Sequence, residues 1–129
     1  MTKRVLLCDD DVHILRAAEF KLKRAGFDVC TAGDGQEGWE LIQQQMPDLV
    51  VTDCQMPRLD GFGLVGRIRQ NEETALLPVM MLTAKGFEID QQETAETWNV
   101  LEVIAKPFSP RELLQKVEAA IAEQTAEVE

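Results

Sequence analysis

Five short, β-prone apolar runs separated by longer amphipathic stretches constrain this chain more than any other feature: Val5–Cys8, Asp28–Thr31, Leu49–Thr52, Val79–Leu82 and Val103–Ala105. The apolar residues within them are largely continuous rather than alternating. A strand with one wet face alternates apolar and polar residues, so continuous runs belong in a sheet covered on both sides. Strands interleaved with helices join through crossovers, which gives βαβ units and a parallel sheet. The expected fold is α/β: a doubly wound (βα)5 sandwich of three layers around a five-stranded parallel sheet.

The stretches between the runs carry helix punctuation. The first has Ile14, Ala18, Leu22 and Ala25 at helical spacing and stops at Gly26. The second begins near Asp34, carries Trp39, Ile42 and Met46, and is closed by Pro47. A third follows Asp60-Gly61, with Phe62, Val65 and Ile68 or Arg69 on one stripe that Gly63 and Gly66 weaken. The fourth, from about Ile89 to Trp98, is rich in Gln, Glu and Thr, and Asn99 suits its left-handed C-cap. It is expected to be the most mobile helix. Ser109-Pro110-Arg111-Glu112 opens the fifth with an N-cap, a first-position proline and a capping-box glutamate; Leu113 or Leu114, Val117 and Ile121 form its stripe.

A chain of 129 residues, 45% apolar and 28% charged, is sized for one compact domain, expected over residues 1–123 with a fraying acidic tail over 124–129. The formal net charge of −10 speaks against unaided nucleic-acid binding, which needs a basic face to displace counterions. It also speaks against an anionic membrane surface. The apolar run near the start ends at Asp9, far too short for a signal peptide or a membrane span. Cys8, Cys30 and Cys54 are an odd, widely spaced set without a CxxC pair. That fits reduced thiols better than disulfides or a zinc site. The chain is expected to be soluble and cytoplasmic.

In an open parallel sheet, ligands bind beyond the carboxyl ends of the strands, at the point where the strand order reverses. Asp9, Asp10 and Asp11 follow the first strand, Asp53 the third, Thr83 the fourth, and Lys106-Pro107 the fifth. Taken singly, Asp10 or Asp11 would be a helix N-cap, Asp53 a turn residue, Thr83 a cap and Lys106 a surface lysine. Together, at four strand ends, they suit phosphoryl transfer to a carboxylate. Clustered carboxylates ionise together only when a cation joins them, and an all-oxygen set suits Mg²⁺. Asp53 is then the nucleophile, while Lys106, the Thr83 hydroxyl and the metal stabilise the charge spread over the transferred group. Trp39 and Trp98 read as packing residues, His13 as a solvent-facing helix residue, and Phe20 as exposed and off its helix's core stripe.

The segments VLLCDDD (Val5–Asp11), PDLVVTDCQMPRLDG (Pro47–Gly61), MLTAK (Met81–Lys85) and AKPFSPRELL (Ala105–Leu114), in this order and spacing, resemble the receiver domain of two-component response regulators from about Lys3 to Glu123. The resemblance implies a flavodoxin-like strand order of 2-1-3-4-5, with no output domain in this chain. It makes Asp9 and Asp10 the acidic metal pair, Asp53 the phosphoacceptor, Thr83 the switch hydroxyl and Lys106 the paired lysine. Gln55 occupies the position whose backbone carbonyl completes the shell of Mg²⁺, or of Mn²⁺ in its place. The Lys106–Pro107 bond is cis by the same resemblance. Implied partners are a sensor histidine kinase or histidine phosphotransfer protein, which the first helix helps to dock. A downstream target is reached through the face of the fourth helix, fifth strand and fifth helix.

Two features depart from the family. Val103 stands where receivers usually carry an aromatic ring that moves with the threonine. Trp98 to Glu102 replace a stretch usually rich in Ala, Gly and Asp, which is expected to make the output face more apolar. Gln55 and Lys85 flank the chemistry and could steer the hydrolytic water. Three other functions compete. An aspartate-nucleophile phosphatase would place two aspartates one residue apart, where this chain reads Asp53-Cys54-Gln55. A flavin or nucleotide carrier lacks its phosphate loop after the first strand. A degenerate receiver that binds partners without phosphorylation draws support from Val103 but not from the intact acidic set.

Overall fold

The computed structural model describes residues 2–84 and 90–128, with side chains through Gln124. The elements alternate as β1 (Arg4–Cys8), α1 (Val12–Arg24), β2 (Asp28–Ala32), α2 (Gly35–Gln44), β3 (Leu49–Asp53), α3 (Gly61–Gln70), β4 (Val79–Thr83), α4 (Gln91–Trp98), β5 (Glu102–Ala105) and α5 (Pro110–Val128). All four strand pairings are parallel, in the order β2-β1-β3-β4-β5, as expected. The order in which strands are added across the sheet reverses between β1 and β3, so the switch point lies at the carboxyl ends of those two strands.

Alternate residues of each strand feed opposite cores. On one side Leu6, Val50 and Met81 pack with Ile42 of α2, Leu64, Val65 and Ile68 of α3, and partly buried Trp98 of α4. On the other, Val5, Leu7, Val51, Met80 and Leu82 pack with Ala18 and Leu22 of α1 and Leu113, Val117 and Ala120 of α5. The continuous apolar strands are thus explained: every residue of β3 and β4 is buried. Each fully buried Leu or Val contributes about 1.5–3 kcal/mol relative to exposure.

The caps follow the sequence closely. Asp11, Asp34, Asp60 and Asp90 accept backbone N–H bonds at the starts of α1 to α4. Ser109 Oγ accepts from Glu112 N at 3.1 Å at the start of α5. Asn99 closes α4 in the left-handed region with φ of 53°, and Gly26 stands past α1 at φ of 101°.

Four expectations need correction. Ala25 and Met46 lie just beyond α1 and α2 and are exposed rather than on the core stripes, because the helices end before them. The α4 helix begins at Gln91 on the Asp90 cap, while Ile89 lies outside the described residues. Residues 124–128, expected as a separate tail, continue α5, and Gln124 Nε2 donates to Asp48 O at 3.3 Å. The alanine-rich end of α5 favours that continuation.

Candidate functional site

Four strand ends deliver their side chains to one rim. Asp9 leaves β1 with its N–H donating to Ala32 O at 3.0 Å, and its Oδ1 accepts Asp11 N at 2.9 Å. That second bond folds the acidic turn, so that Asp11 caps α1 and Asp10 stays exposed beside the site. Asp53 ends β3 and Thr83 ends β4, with 5% and 3% of their surface exposed. Lys106 is anchored through its backbone, whose N–H donates to Thr83 O at 2.8 Å, and the Lys106–Pro107 bond is cis.

The Lys106 ammonium lies 2.8 Å from Asp9 Oδ2 and 3.2 Å from Asp53 Oδ2. Carboxylate oxygens of Asp9, Asp10 and Asp53 all fall within 4.8 Å of one another. Burial first, and then the facing Asp9, push the Asp53 carboxyl above its ordinary value of 3.8; Lys106 pulls the other way without cancelling them. Burial alone would lower Lys106, but its pairing with Asp9 and Asp53 outweighs this and holds the ammonium above 10.5.

Three buried polar atoms in this cluster lack a hydrogen-bond partner among the described residues: Asp53 Oδ1, Thr83 Oγ1 and Asp9 Oδ2, the last ion-paired with Lys106 at 2.8 Å. Buried polar atoms are nearly always paired, so each such exception calls for an explanation. A hard divalent cation fits the oxygen set: three carboxylates converge, and among the described residues Lys106 is the one ammonium that faces them. The hollow above them, about 460 Å³, is lined by Asp10, Asp11, Asp53, Gln55, Ala84 and Lys106. A second cleft of about 440 Å³, lined by His13, Ile14, Ala17, Phe108 and Pro110 among others, opens between α1 and the start of α5. Lys106 and Pro107 line it too, so Lys106 borders both hollows.

Every site residue expected from the sequence and described here reaches this rim or its edge: Asp9, Asp10, Asp53, Gln55, Thr83 and Lys106. Lys85 lies outside the described residues. His13 is exposed, and Phe20 is 64% exposed with the Arg24 guanidinium over its ring. Trp98 packs its ring 5.1 Å from that of Phe62, and Trp39 is partly buried against the core, so both are packing residues. Val103 is buried, as is Val100. Of the apolar residues expected to enrich the output face, Leu101 is the one that stands half exposed.

Sequence reasoning passed over Arg58. It lies in the β3–α3 loop with φ of 65°, and its guanidinium holds both carboxylate oxygens of Asp34 at 3.0 and 3.1 Å. That bidentate contact keeps the Asp34 carboxyl below its ordinary value of 3.8, assisted by the Glu37 N–H. The available signal was an arginine inside a Pro-Arg-Leu-Asp-Gly turn, where Gly or Asn is usual.

Comparison with known proteins supplies the rest. The chain is 37% identical over 121 residues to the alkaline phosphatase synthesis transcriptional regulatory protein PhoP of Bacillus subtilis, covering 94% of this chain and 49% of that protein. It is 38% identical over 118 residues to the DNA-binding dual master transcriptional regulator RpaA of Synechocystis, covering 92% and 48%. The chain therefore spans about half the length of the curated relatives it matches. Among solved structures, the chemotaxis response regulator CheY4 of Vibrio cholerae superposes with a TM-score of 0.83 at 27% identity, covering 92% and 98% of the two chains. A receiver domain protein from Clostridium thermocellum gives 0.83 at 28% identity, covering 96% and 98%. Residues 5–118 match the response regulator receiver domain, and the chain belongs to that family.

Proposed function

We propose that this chain is a phosphorylation-switched receiver in which Asp53 takes a phosphoryl group from a partner's phosphohistidine. One observation carries the reading: Asp53 Oδ1 is buried and has no hydrogen-bond partner among the described residues, at the mouth of a hollow where Asp9, Asp10 and Lys106 converge. Asp9, Asp10, Asp53 and the Gln55 carbonyl would hold Mg²⁺, or Mn²⁺, which when bound neutralises phosphoryl oxygens and the cluster's own charge. An Asp53 carboxylate oxygen attacks phosphorus, the bond from phosphorus to the imidazole nitrogen breaks, and that nitrogen leaves with the electron pair. Lys106 offsets negative charge on the phosphoryl oxygens, and the buried Thr83 hydroxyl donates to one of them. Hydrolysis later returns the carboxylate; Gln55, which lines the hollow, and Lys85, two residues past Thr83 in sequence, are the residues to influence the water. The chemistry is thus confined to the protein's own phosphorylation and its reversal.

The histidine-bearing partner is a sensor kinase or a phosphotransfer protein, and it docks against α1, where the apolar cleft beside Lys106 gives it purchase. The state of Asp53 is read by a protein target at the face of α4, β5 and α5, where Leu101 is half exposed. With Val103 in the place of the usual ring, that readout cannot use an aromatic swing. The setting is the cytoplasm, and among the described residues no helix is long and apolar enough to cross a membrane.

Incubation with Mg²⁺ and acetyl phosphate, followed by intact-mass measurement, tests the reading. The parent chain gains one phosphoryl mass and Asp53→Ala gains none. A gain that persists in Asp53→Ala, or no gain in the parent, would count against it.

A further inference from the structure

Between β3 and α3 the chain runs through Cys54 to Asp60, and this loop carries Gln55. Its inner end is tied to the sheet: Cys54 N donates to Leu82 O at 2.8 Å, and Gly61 N to Cys54 O at 3.0 Å. Its outer half is held from the neighbouring β2–α2 corner. Gly35 N donates to Leu59 O at 2.8 Å, and Arg58 clasps Asp34 through Nε and Nη2. Asp34 is a fixed anchor, because its Oδ1 also accepts Glu37 N at 2.8 Å as the N-cap of α2.

Arg58 is an unusual residue for this place. Leu59 N closes onto Pro57 O at 2.8 Å, an i to i+2 bond that bends the chain tightly around it at φ of 65°. Residues with a Cβ seldom adopt this backbone, whereas Gly and Asn do so readily. If only the turn mattered, Gly or Asn would serve better. The guanidinium adds a planar, two-bond grip on a carboxylate that is itself fixed to a helix. As an exposed ion pair it does little for stability, since the arginine side chain is 61% exposed. Its effect is therefore on where the loop sits.

We propose that Arg58 is a positioning residue for the metal site: by clasping Asp34 it holds the β3–α3 loop, and with it Gln55, where the Asp9–Asp10–Asp53 cluster needs it. The inference rests on the reading of that cluster as a Mg²⁺ site. Its sign separates it from simple electrostatics. Removing a cation from an acidic neighbourhood should tighten Mg²⁺ binding by Coulomb's law. Loss of a positioning residue weakens it.

The test is a Mg²⁺ titration of the full chain, followed by the amide resonances of Asp53 and Cys54, for the parent, Arg58→Asn, Asp34→Asn and the double variant. Asn suits the left-handed backbone at 58 and retains N-cap ability at 34. Each single variant is expected to weaken Mg²⁺ binding about 3- to 10-fold, at or below the low end of effects from groups outside the metal shell. The double variant should be no weaker than the worse single one, because the pair acts as a unit. If Arg58→Asn does not fold, Arg58→Gly takes its place. A parent that binds Mg²⁺ alongside an Arg58 variant that binds it equally well or more tightly overturns the positioning role alone. A parent that binds no Mg²⁺ overturns the site reading and this inference with it.

Discussion

Burial and the facing Asp9 both disfavour a charge on Asp53, so its carboxyl holds a proton more tightly in the folded protein than in the unfolded chain. The consequence for stability has a definite sign. Stability falls as pH rises from 3.8 through the raised folded value. Carboxylates this close repel by about 1 kcal/mol even at the dielectric of water, and Lys106 offsets part of that. Asp53→Asn is therefore expected to melt about 3–5 °C above the parent in metal-free buffer at pH 7, on the usual scaling for a domain of this size. Adding Mg²⁺ should then raise the melting temperature of the parent more than that of the variant. A variant that melts no higher than the parent would mean that Lys106 already neutralises the site. The cysteines show the same burial effect without a functional partner: desolvation first, and then the Asp53 charge, push the Cys54 thiol up to about 12. Cys8 is raised further still, chiefly by burial. These are inert packing thiols, as their number and spacing suggested.

Among the helices, α4 stands apart because none of its residues is fully buried. It holds to the body through Trp98, stacked at a tilt on Phe62, and through partly buried Ala95. Trp98→Ala should lower stability by about 1–3 kcal/mol, less than the loss of a fully buried tryptophan. It should also speed amide exchange in α4 ahead of α1; equal acceleration in both helices would show that α4 is not a separately held element. The strands were legible to within a residue because runs such as Leu49-Val50-Val51 leave no wet face. The caps at Asp11, Asp34, Asn99 and Ser109 were legible because capping chemistry is local. The site was legible for a different reason: four chemically suited residues each directly follow a strand, so the topology brings them together. Helix ends were less so, since Gly26 and Pro47 mark where a helix must have stopped but not its last turn. The two arginine clasps were not legible. Arg69 donates to Ala75 O, Leu77 O and Asn99 O at 2.7–2.9 Å, tying the end of α3 to two loops. The spacing of Arg69 does not distinguish it from an arginine in solvent, and the turn around Arg58 marks an unusual backbone without naming Asp34 as its partner.

Taken as a whole, the molecule is strongly acidic, and the half-exposed Leu101 interrupts that surface on the α4–β5–α5 side. If that side reads out the state of Asp53, sedimentation with a phosphoryl mimic should show a heavier species that Leu101→Asp abolishes. An unchanged monomer whose partner binding also survives Leu101→Asp would sink the idea. The strand order has a further consequence, for how such a protein is made. β1 is synthesised first yet lies between β2 and β3, and its pairing of Val5 with Leu49 waits until β3 has emerged from the ribosome. Asp9 and Asp53 then come together while Lys106, beyond β5, is still to be translated. During synthesis the negative charges are gathered before the positive charge that balances them. Through that interval a nascent chain has only cations from its surroundings to offset the charge, whereas the finished protein has Lys106 to offset part of it.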